Sequence, residues 1–178
     1  MDNYVETLKK VLTNPEGFFS EMPKEGGYGE PLKFATINFA IFGLLSGIVA
    51  VVMKGSSPTS IVSTLIGAVI GGIIGLFIFG IILFILFKIV GGSGSYEGTV
   101  RILSYTSATQ ILTWIPLIGI LAALYSIWLN IVGGKHVHNI STVRSAIAVL
   151  IPVVIIVILV VVLAALITAF VLSMGGVL

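Results

Sequence analysis

The sequence predicts an all-α fold: a polytopic transmembrane helical bundle of about five spans, preceded by an N-terminal amphipathic helix at the membrane interface. Of its 178 residues, 57% are hydrophobic and 9% are charged, whereas about a quarter of the residues in a soluble domain are charged. Uncharged stretches of about 20 residues or more recur along the chain, and that length suffices for a helix to cross a bilayer. Lipid is therefore the predicted solvent for most of the chain.

Residues 1–33 hold much of the charge and form the predicted cytoplasmic or interfacial segment, with the transmembrane domain at 34–178. Apolar residues recur at helical spacing near the start, and Asn14-Pro15 marks a helix stop. The apolar face of this helix could lie among lipid headgroups or pack against the ends of the bundle, and the sequence leaves both interpretations open. The residues predicted to contact lipid or a partner are Tyr4, Leu8, Phe18, Phe19, Arg101 and Arg144.

The middle of the predicted bundle is ambiguous, because Trp114-Ile115-Pro116 lies at the centre of an uncharged stretch over 102–132. A proline inside a helix removes a hydrogen bond and kinks or ends the helix. This stretch is therefore either one long kinked helix or two short spans joined at the proline. With two spans there, the five are predicted near 34–53, 61–87, 102–114, 116–132 and 146–174.

The distribution of lysine and arginine favours two spans in the middle stretch. Positive residues close to span ends prefer the cytoplasmic side. Five spans place eight of the nine Lys and Arg residues on one side and leave Lys54 opposite, whereas four spans also move Lys135 and Arg144 across. The sequence therefore predicts a cytoplasmic N-terminus and an external C-terminus. A re-entrant pair over 102–132 would give the same count and stays an alternative.

A weak internal repeat accompanies this arrangement. Ile89-Val90-Gly91-Gly92 recurs as Ile131-Val132-Gly133-Gly134, and Thr99-Val100-Arg101 recurs as Thr142-Val143-Arg144. A duplicated helix–loop–helix unit would place both loops on the same side of the membrane. Because Gly, Val and Ile are common in this chain, coincidence explains the repeat equally well.

Glycines four residues apart predict close helix packing in the first two spans. In lipid, small residues on one face let two backbones approach, which allows van der Waals and weak Cα–H···O contacts. Packing of the two spans on each other is the favoured interpretation, and a homodimer interface is the alternative. The glycines concerned are Gly43, Gly47, Gly67, Gly71 and Gly75.

The predicted spans contain no Asp, Glu, Lys, Arg or His, the residues that pumps and proton-coupled transporters place at membrane depth. The third span instead has a hydroxyl-rich face, which predicts hydrogen bonds between helices. The alternative is a path for a small neutral solute or ion. The residues of this face are Ser104, Thr106, Ser107, Gln110 and Thr113.

Nothing in the sequence predicts catalysis, a metal or a bound cofactor. The chain has no cysteine, and His136 and His138 have no Cys or carboxylate nearby to complete a metal site. The motifs of serine hydrolases, phosphate loops and zinc proteases are absent. The net charge of +2 is too small to indicate nucleic-acid binding. Glu97 and Arg101, four residues apart, predict a surface ion pair.

A series of short elements occurs in order relative to the spans. Asn14-Pro15 comes before Phe18-Phe19 and Met22, and Pro31-Leu32 comes before the first span. The later elements are Gly91-Gly92-Ser93-Gly94-Ser95-Tyr96-Glu97-Gly98-Thr99, Ile115-Pro116-Leu117-Ile118-Gly119, Tyr125 and His138-Asn139-Ile140-Ser141. In this order the elements resemble the Yip family, the small five-span proteins named for interaction with Ypt/Rab GTPases.

The resemblance implies a five-helix fold with a cytosolic N-terminus and an adaptor or membrane-organising role. In eukaryotic relatives this role concerns vesicle trafficking, with Rab proteins contacted from the cytosolic side. Here about thirty residues precede the first span, without the longer cytosolic domain of those relatives, so a Rab-type GTPase is not an expected partner. The short N-terminus, the Val and Ile content and the lack of cysteine are similar to the archaeal or bacterial branch, which implies a prokaryotic, archaeal, cell membrane.

We therefore expect a non-enzymatic, multi-pass membrane protein that acts as a scaffold, adaptor or membrane organiser through its cytoplasmic face. The expected partners are membrane lipids, together with a second copy of the chain or another membrane protein. A channel or facilitator lined by the polar face of the third span is the alternative function.

Overall fold

The computed structural model describes residues 4–175. Residues 1–3 and 176–178, which belong to the predicted N-terminal segment and transmembrane domain, lie outside the described range. Within that range the chain is helical, with seven α-helices, one 3₁₀ segment and no strand. The elements are α1 (Tyr4–Thr13), α2 (Pro15–Glu21), α3 (Gly29–Lys54), α4 (Thr59–Ile89), α5 (Tyr96–Thr106), the 3₁₀ segment (Ser107–Leu112), α6 (Pro116–His138) and α7 (Thr142–Gly175).

The break between α1 and α2 follows from two residues. The side-chain oxygen of Asn14 accepts a hydrogen bond from the backbone N–H of Gly17 at 3.1 Å, which caps α2. Pro15 occupies the first position of α2, where its missing N–H is not needed by the helix. The helix stop predicted at Asn14-Pro15 is confirmed.

Helices α3 and α4 form an antiparallel hairpin, in which two glycines let the backbones meet. A Cβ added at Gly43 would lie 2.8 Å from the Cα of Leu65, and one at Gly47 would lie 2.8 Å from the Cα of Ile61. Neither position can therefore accept a larger side chain unless the helices separate.

The other three glycines predicted to pack between the first two spans do not contact α3. The face of α4 that meets α3 carries Leu65, Ala68 and Gly72 instead. Residues four apart lie on one face of a helix, so the three predicted glycines share a face, but it is a different one. An added Cβ at any of the three would meet nothing within 4 Å, and all three are exposed on the outer side of α4: Gly67, Gly71 and Gly75.

Helix α5 and the 3₁₀ segment form a second antiparallel hairpin with α6. An added Cβ at Gly98 would lie 2.5 Å from Cγ1 of Val137, and one at Gly133 would lie 2.6 Å from Cγ2 of Ile102. The two helical arms of this hairpin are joined by a turn just before Pro116. Of the two interpretations of the middle stretch, the chain therefore adopts two helical segments rather than one kinked helix.

The segment made of α5 and the 3₁₀ turn lies at the centre of the bundle, and we call it the central segment. It contacts α3, α4 and α6. Its serine and threonine residues are buried, although these residues usually lie on the outside of soluble proteins. The five are Thr99, Ser104, Thr106, Ser107 and Thr109. Neighbouring helices thus separate these polar side chains from lipid.

Helix α7 lies at the periphery of the bundle. Near its start, Ser145, Ala148 and Val149 are buried, and the hydroxyl of Ser145 donates to the carbonyl of Ile131 at 2.6 Å. From residue 154 to residue 173 every position is exposed. In a bilayer those apolar side chains would meet lipid.

Four of the described helices, α3, α4, α6 and α7, are long and apolar enough to cross a membrane, so the chain is an integral, multi-pass membrane protein. The predicted third span, 102–114, is not among the four, because α5 has 11 residues and the 3₁₀ segment has six. Several of the helices extend beyond the predicted span boundaries. Helix α3 begins at Gly29 rather than at 34, and α6 continues to His138, so part of the loop predicted over 133–145 is helical.

Candidate functional site

One end of the bundle, which we call the loop face, is formed by residues 4–28 and by the loops 90–95 and 139–141. The opposite end carries the turns 55–58 and 113–115. Hydrogen bonds between residues at least 70 apart in the sequence join the N-terminal part of the loop face to the rest of the molecule. The loop face therefore has a defined structure, although about half of its residues lie outside the helices.

Arg101 makes the most extensive of these connections. Its Nε donates to the carboxylate of Glu97 at 3.1 Å, while its Nη1 and Nη2 donate to the carbonyls of Pro23 at 3.1 Å and Gly27 at 2.6 Å. The planar guanidinium suits this role because it presents five donors in a fixed geometry. The predicted Glu97–Arg101 pair is confirmed, but 6% of the Arg101 side chain is exposed. Arg101 is thus a buried connection rather than a surface contact for a partner.

Glu16 joins α2 to the end of α6. Its carboxylate accepts hydrogen bonds from the ring Nε2 of His136 and from the Nζ of Lys135, the latter at 2.9 Å. The hydrogen bond from His136, followed by that from Lys135, lowers the pKa of the Glu16 carboxyl below its ordinary value. Both donors lie in the last turn of α6, within the stretch that the sequence predicts as a loop.

The two loops of the face are also joined to each other. The Nζ of Lys24 donates to the side-chain oxygen of Asn139 at 3.1 Å, and the Nδ2 of Asn139 donates to the hydroxyl of Ser93 at 3.0 Å. The backbone N–H of Ser93 donates to the carbonyl of His138 at 2.9 Å. The loops after α4 and after α6 therefore lie at the same end of the bundle.

The apolar side of the N-terminal segment packs against the bundle. Val11 and Phe19 are fully buried, and Leu8 is partly buried in the same cluster. The ring of Phe18 meets that of Tyr105 edge-on, with 4.8 Å between centroids. The sequence left open whether this apolar side lies among lipid headgroups or packs against the bundle. At these positions it packs against the bundle, and Phe19 is therefore not accessible to lipid or to a partner.

Tyr4 extends this contact to the central segment. Its hydroxyl donates to the side-chain oxygen of Asn38 at 2.5 Å, and the Nδ2 of Asn38 donates to the hydroxyl of Ser107 at 3.0 Å. Asn38 is fully buried. Burial also raises the pKa of the Tyr4 phenol. A chain of polar contacts thus runs from α1 through α3 to the middle of the bundle.

The polar residues predicted to line a solute path are placed among packed helices. The hydroxyl of Ser104 donates to the carbonyl of Val100 at 2.8 Å, that of Ser107 donates to the carbonyl of Ser104 at 2.5 Å, and that of Thr113 donates to the carbonyl of Gln110 at 2.8 Å. Each of these hydroxyls thus donates to a backbone carbonyl three or four residues earlier in the chain. Thr106 is buried, and its hydroxyl has no hydrogen-bond partner among the described residues.

Arg144, the remaining predicted contact residue, is exposed in the first turn of α7. Its Nη1 lies 3.4 Å from the position that a Cβ on Gly91 would take, so it stands beside the loop 90–95. Within residues 4–175 no three His, Cys, Asp or Glu side chains come close enough to hold a metal ion.

Sequence reasoning missed several residues that build the loop face. Glu16, Lys24 and Asn139 act through contacts with residues more than 100 positions away, and a single sequence carries no signal for such pairs. Asn38 could have been found, because an amide inside an apolar span needs a hydrogen-bond partner.

A comparison with protein-family models matches the Yip1 domain over residues 9–175. The chain belongs to the Yip1 domain family. The match extends from within α1 to the end of α7, so the Yip1 domain here includes the loop face as well as the four apolar helices. Comparison with curated proteins and with solved structures gave no match. The family predicted from the series of short elements is confirmed.

Proposed function

We propose that this Yip1 domain protein is a non-enzymatic membrane scaffold that binds another protein at its loop face, on the cytoplasmic side of the membrane. The observation that supports this most is how the loop face is built. Arg101, Glu16 and Lys24 join the N-terminal segment to α5, α6 and the loop 139–141 respectively. A surface that is ordered in advance loses less conformational entropy when a partner binds.

The charges of the loop face would give such a contact its specificity. Exposed side chains of both signs surround it, and complementary charges orient a partner and exclude wrong ones more than they add affinity. The exposed charged residues at this end include Lys9, Glu21, Glu25, Lys88 and Arg144.

Five crossings form part of the proposal, with the N-terminal segment inside and the end of α7 outside. Because the loops 90–95 and 139–141 are hydrogen-bonded together, the hairpin of the central segment and α6 begins and ends on one side. If α6 crosses the membrane, the central segment must cross it too. Eleven α-helical and six 3₁₀ residues extend about 28 Å, close to the hydrocarbon thickness of about 30 Å.

Cysteine labelling in sealed vesicles tests this topology. The chain has no cysteine of its own, so each introduced thiol reports on one position. We expect an impermeant maleimide to label Lys88→Cys and Asn139→Cys from the cytoplasmic side, and Lys54→Cys and Leu117→Cys from outside. Leu117, at 80% exposed beside the turn 113–115, is the decisive site. Protection of Leu117→Cys from both sides would indicate a re-entrant hairpin and contradict five crossings.

Cross-linking in native membranes, followed by purification of the full chain, tests the scaffold role. We compare the unaltered protein with a Lys9→Glu/Arg144→Glu variant, which reverses one exposed charge on the loop face and one beside it, in the first turn of α7. We expect the yield of a cross-linked partner protein to be about tenfold lower with the double variant, which corresponds to a loss of roughly 1.4 kcal/mol of binding free energy. Lys54→Glu, which reverses an exposed charge at the opposite end, is the matched control and should retain it. Equal yields from all three proteins would contradict the proposal.

A further inference from the structure

A cavity of about 900 Å³ lies between the N-terminal segment and the bundle. Its walls are α1, α2, the stretch 22–27 and the first turns of α3, and Arg101 and Tyr105 of α5 also line it. Because Arg101 binds the carbonyls of Pro23 and Gly27, one wall is held in place. Sites for small molecules have volumes of about 300–1,000 Å³, so the cavity is large enough for a ligand.

The lining of the cavity changes from charged to apolar along α3. Glu30 and Lys33 line it near the start of this helix, and Phe34 and Ile37 line it further along. Ile37 lies eight residues beyond Gly29, about 12 Å along the helix axis. Since α3 is long and apolar enough to cross the membrane, the apolar end of the cavity points toward hydrocarbon. A ligand that matches both ends is an amphiphile.

Four aromatic rings form a continuous part of the wall. The ring centroids of Tyr4 and Phe34 are 5.3 Å apart, those of Phe34 and Tyr105 are 5.3 Å apart, and those of Phe18 and Tyr105 are 4.8 Å apart. All four residues line the cavity. Aromatic faces attract a cationic group as well as apolar surface.

The charged residues that line the cavity balance one another. Three acids and three bases give no net charge that would favour a purely anionic ligand. A headgroup that carries one charge of each sign adds no net charge to this balanced lining, whereas a singly charged headgroup does. The six residues are Glu21, Glu25, Glu30, Lys10, Lys33 and Arg101.

We propose that this cavity binds the headgroup and glycerol region of a zwitterionic phospholipid. The amine lies toward Glu21 and Glu30, and the phosphate lies toward Lys10. Lys10 pairs with Glu6 at 3.4 Å in an exposed ion pair, which is weak enough to be exchanged for a phosphate. The acyl chains leave past Phe34 and Ile37. This site does not depend on the scaffold role proposed above.

Native mass spectrometry of the full chain in detergent tests the site, with phosphatidylethanolamine, phosphatidylglycerol and diacylglycerol offered in equal amounts. Gly29 lines the cavity and has nothing within 4 Å of an added Cβ, so Gly29→Trp fills the space. Gly67→Trp is the matched control, because its added Cβ is equally free of contacts but Gly67 does not line this cavity. Glu30→Gln removes one predicted partner of the amine while keeping the shape of the side chain.

We expect phosphatidylethanolamine to be retained above the other two lipids, and Gly29→Trp to lower its retention about tenfold, because the indole would occupy the space of the headgroup. Gly67→Trp should leave retention unchanged. Equal retention by both tryptophan variants would show that the lipid binds outside the cavity and would overturn the proposal. Equal retention of phosphatidylglycerol, unaffected by Glu30→Gln, would overturn the zwitterionic assignment. Either failure leaves the cross-linking result with Lys9→Glu/Arg144→Glu untouched, so the two proposals fail separately.

Discussion

The tripeptide Thr-Val-Arg occurs once in α5 and once in α7, and its surroundings differ completely. In α5, Thr99 and Val100 are fully buried and Arg101 is 5% exposed. In α7, Val143 is 69% exposed and Arg144 is exposed as well. The same three residues therefore form part of the core in one helix and part of the surface in the other.

These two helices show that the burial of a residue in this protein depends on its position in the bundle rather than on its hydrophobicity. The central segment carries five serine and threonine residues and an ion pair, yet α3, α4 and α6 surround it. Helix α7 is almost purely aliphatic, yet its most apolar stretch is 17% buried. In lipid, an apolar helix gains little by leaving the hydrocarbon, whereas a polar one must be surrounded by protein groups.

The largest expected effect is the difference between replacing Arg101 and replacing Arg144, the two arginines of the repeated tripeptide. Arg101→Met removes the donor to the carbonyls of Pro23 and Gly27, and the carboxylate of Glu97 keeps the hydrogen bond from the backbone N–H of Gly27 but loses its cationic partner. We expect the free energy of unfolding to fall on the order of 3–5 kcal/mol, as when one partner of a buried ion pair is removed. Denaturant titration in mixed micelles measures it. Arg144→Met should change stability by less than about 0.5 kcal/mol, and equal losses would contradict the comparison.

A somewhat smaller effect is expected from truncating one isoleucine in each helix. Ile102 is fully buried, and its side chain fits against Gly133 of α6. Ile102→Ala should cost about 2–4 kcal/mol, because the packed surroundings cannot fill the space. Ile155, at 51% exposed on α7, is the control, since lipid can take the place of the lost atoms. A comparable cost at Ile155→Ala would show that α7 has a protein neighbour in the membrane.

The smallest expected effect is a pH dependence of the contact between α2 and α6, which has no counterpart in α7 because that helix has no acidic residue. The pKa of Glu16 is lowered in the folded chain by its hydrogen bonds to His136 and Lys135. The stabilisation is therefore complete above the ordinary value of 4.5 and is lost as the pH falls through the lowered pKa. We expect the difference in Tm between the unaltered protein and Glu16→Gln to shrink below pH 4.5.

Glu21→Gln is the control for this experiment, because Glu21 is an exposed glutamate on the same helix. The difference in Tm between the unaltered protein and Glu21→Gln measures the loss of a carboxylate from α2 without the contacts to α6. A difference for Glu16→Gln that stays constant with pH would contradict the proposed contribution of its contacts with α6.

Much of the fold could be predicted because local chemistry determines it. Asn14-Pro15 separates two helices, and the middle stretch is divided before Pro116. Membrane insertion followed from composition, and the Glu97–Arg101 pair followed from a spacing of four. These features depend on residues close together in the sequence, and helix geometry converts such spacing directly into contact.

The rest of the structure could not be predicted from a single sequence, because it depends on contacts between distant residues. Gly43 and Gly67 each belong to a set of glycines spaced four residues apart. That spacing does not reveal that Gly43 faces a neighbouring backbone, whereas Gly67 faces outward. Similarly, nothing near Glu16 indicates that Lys135 and His136 will meet it. Which face of a helix is turned inward is decided by its neighbours.

The polarity of the central segment also constrains how the protein is inserted into the membrane. Charged residues and hydroxyls lower the tendency of a segment to leave the translocon for lipid by itself. With Glu97, Arg101 and its hydroxyls, the stretch 96–112 would be poorly inserted alone, whereas α6 is apolar enough to partition. If the central segment crosses the membrane as proposed, it would have to enter as a pair with α6, after α3 and α4 are available to receive them.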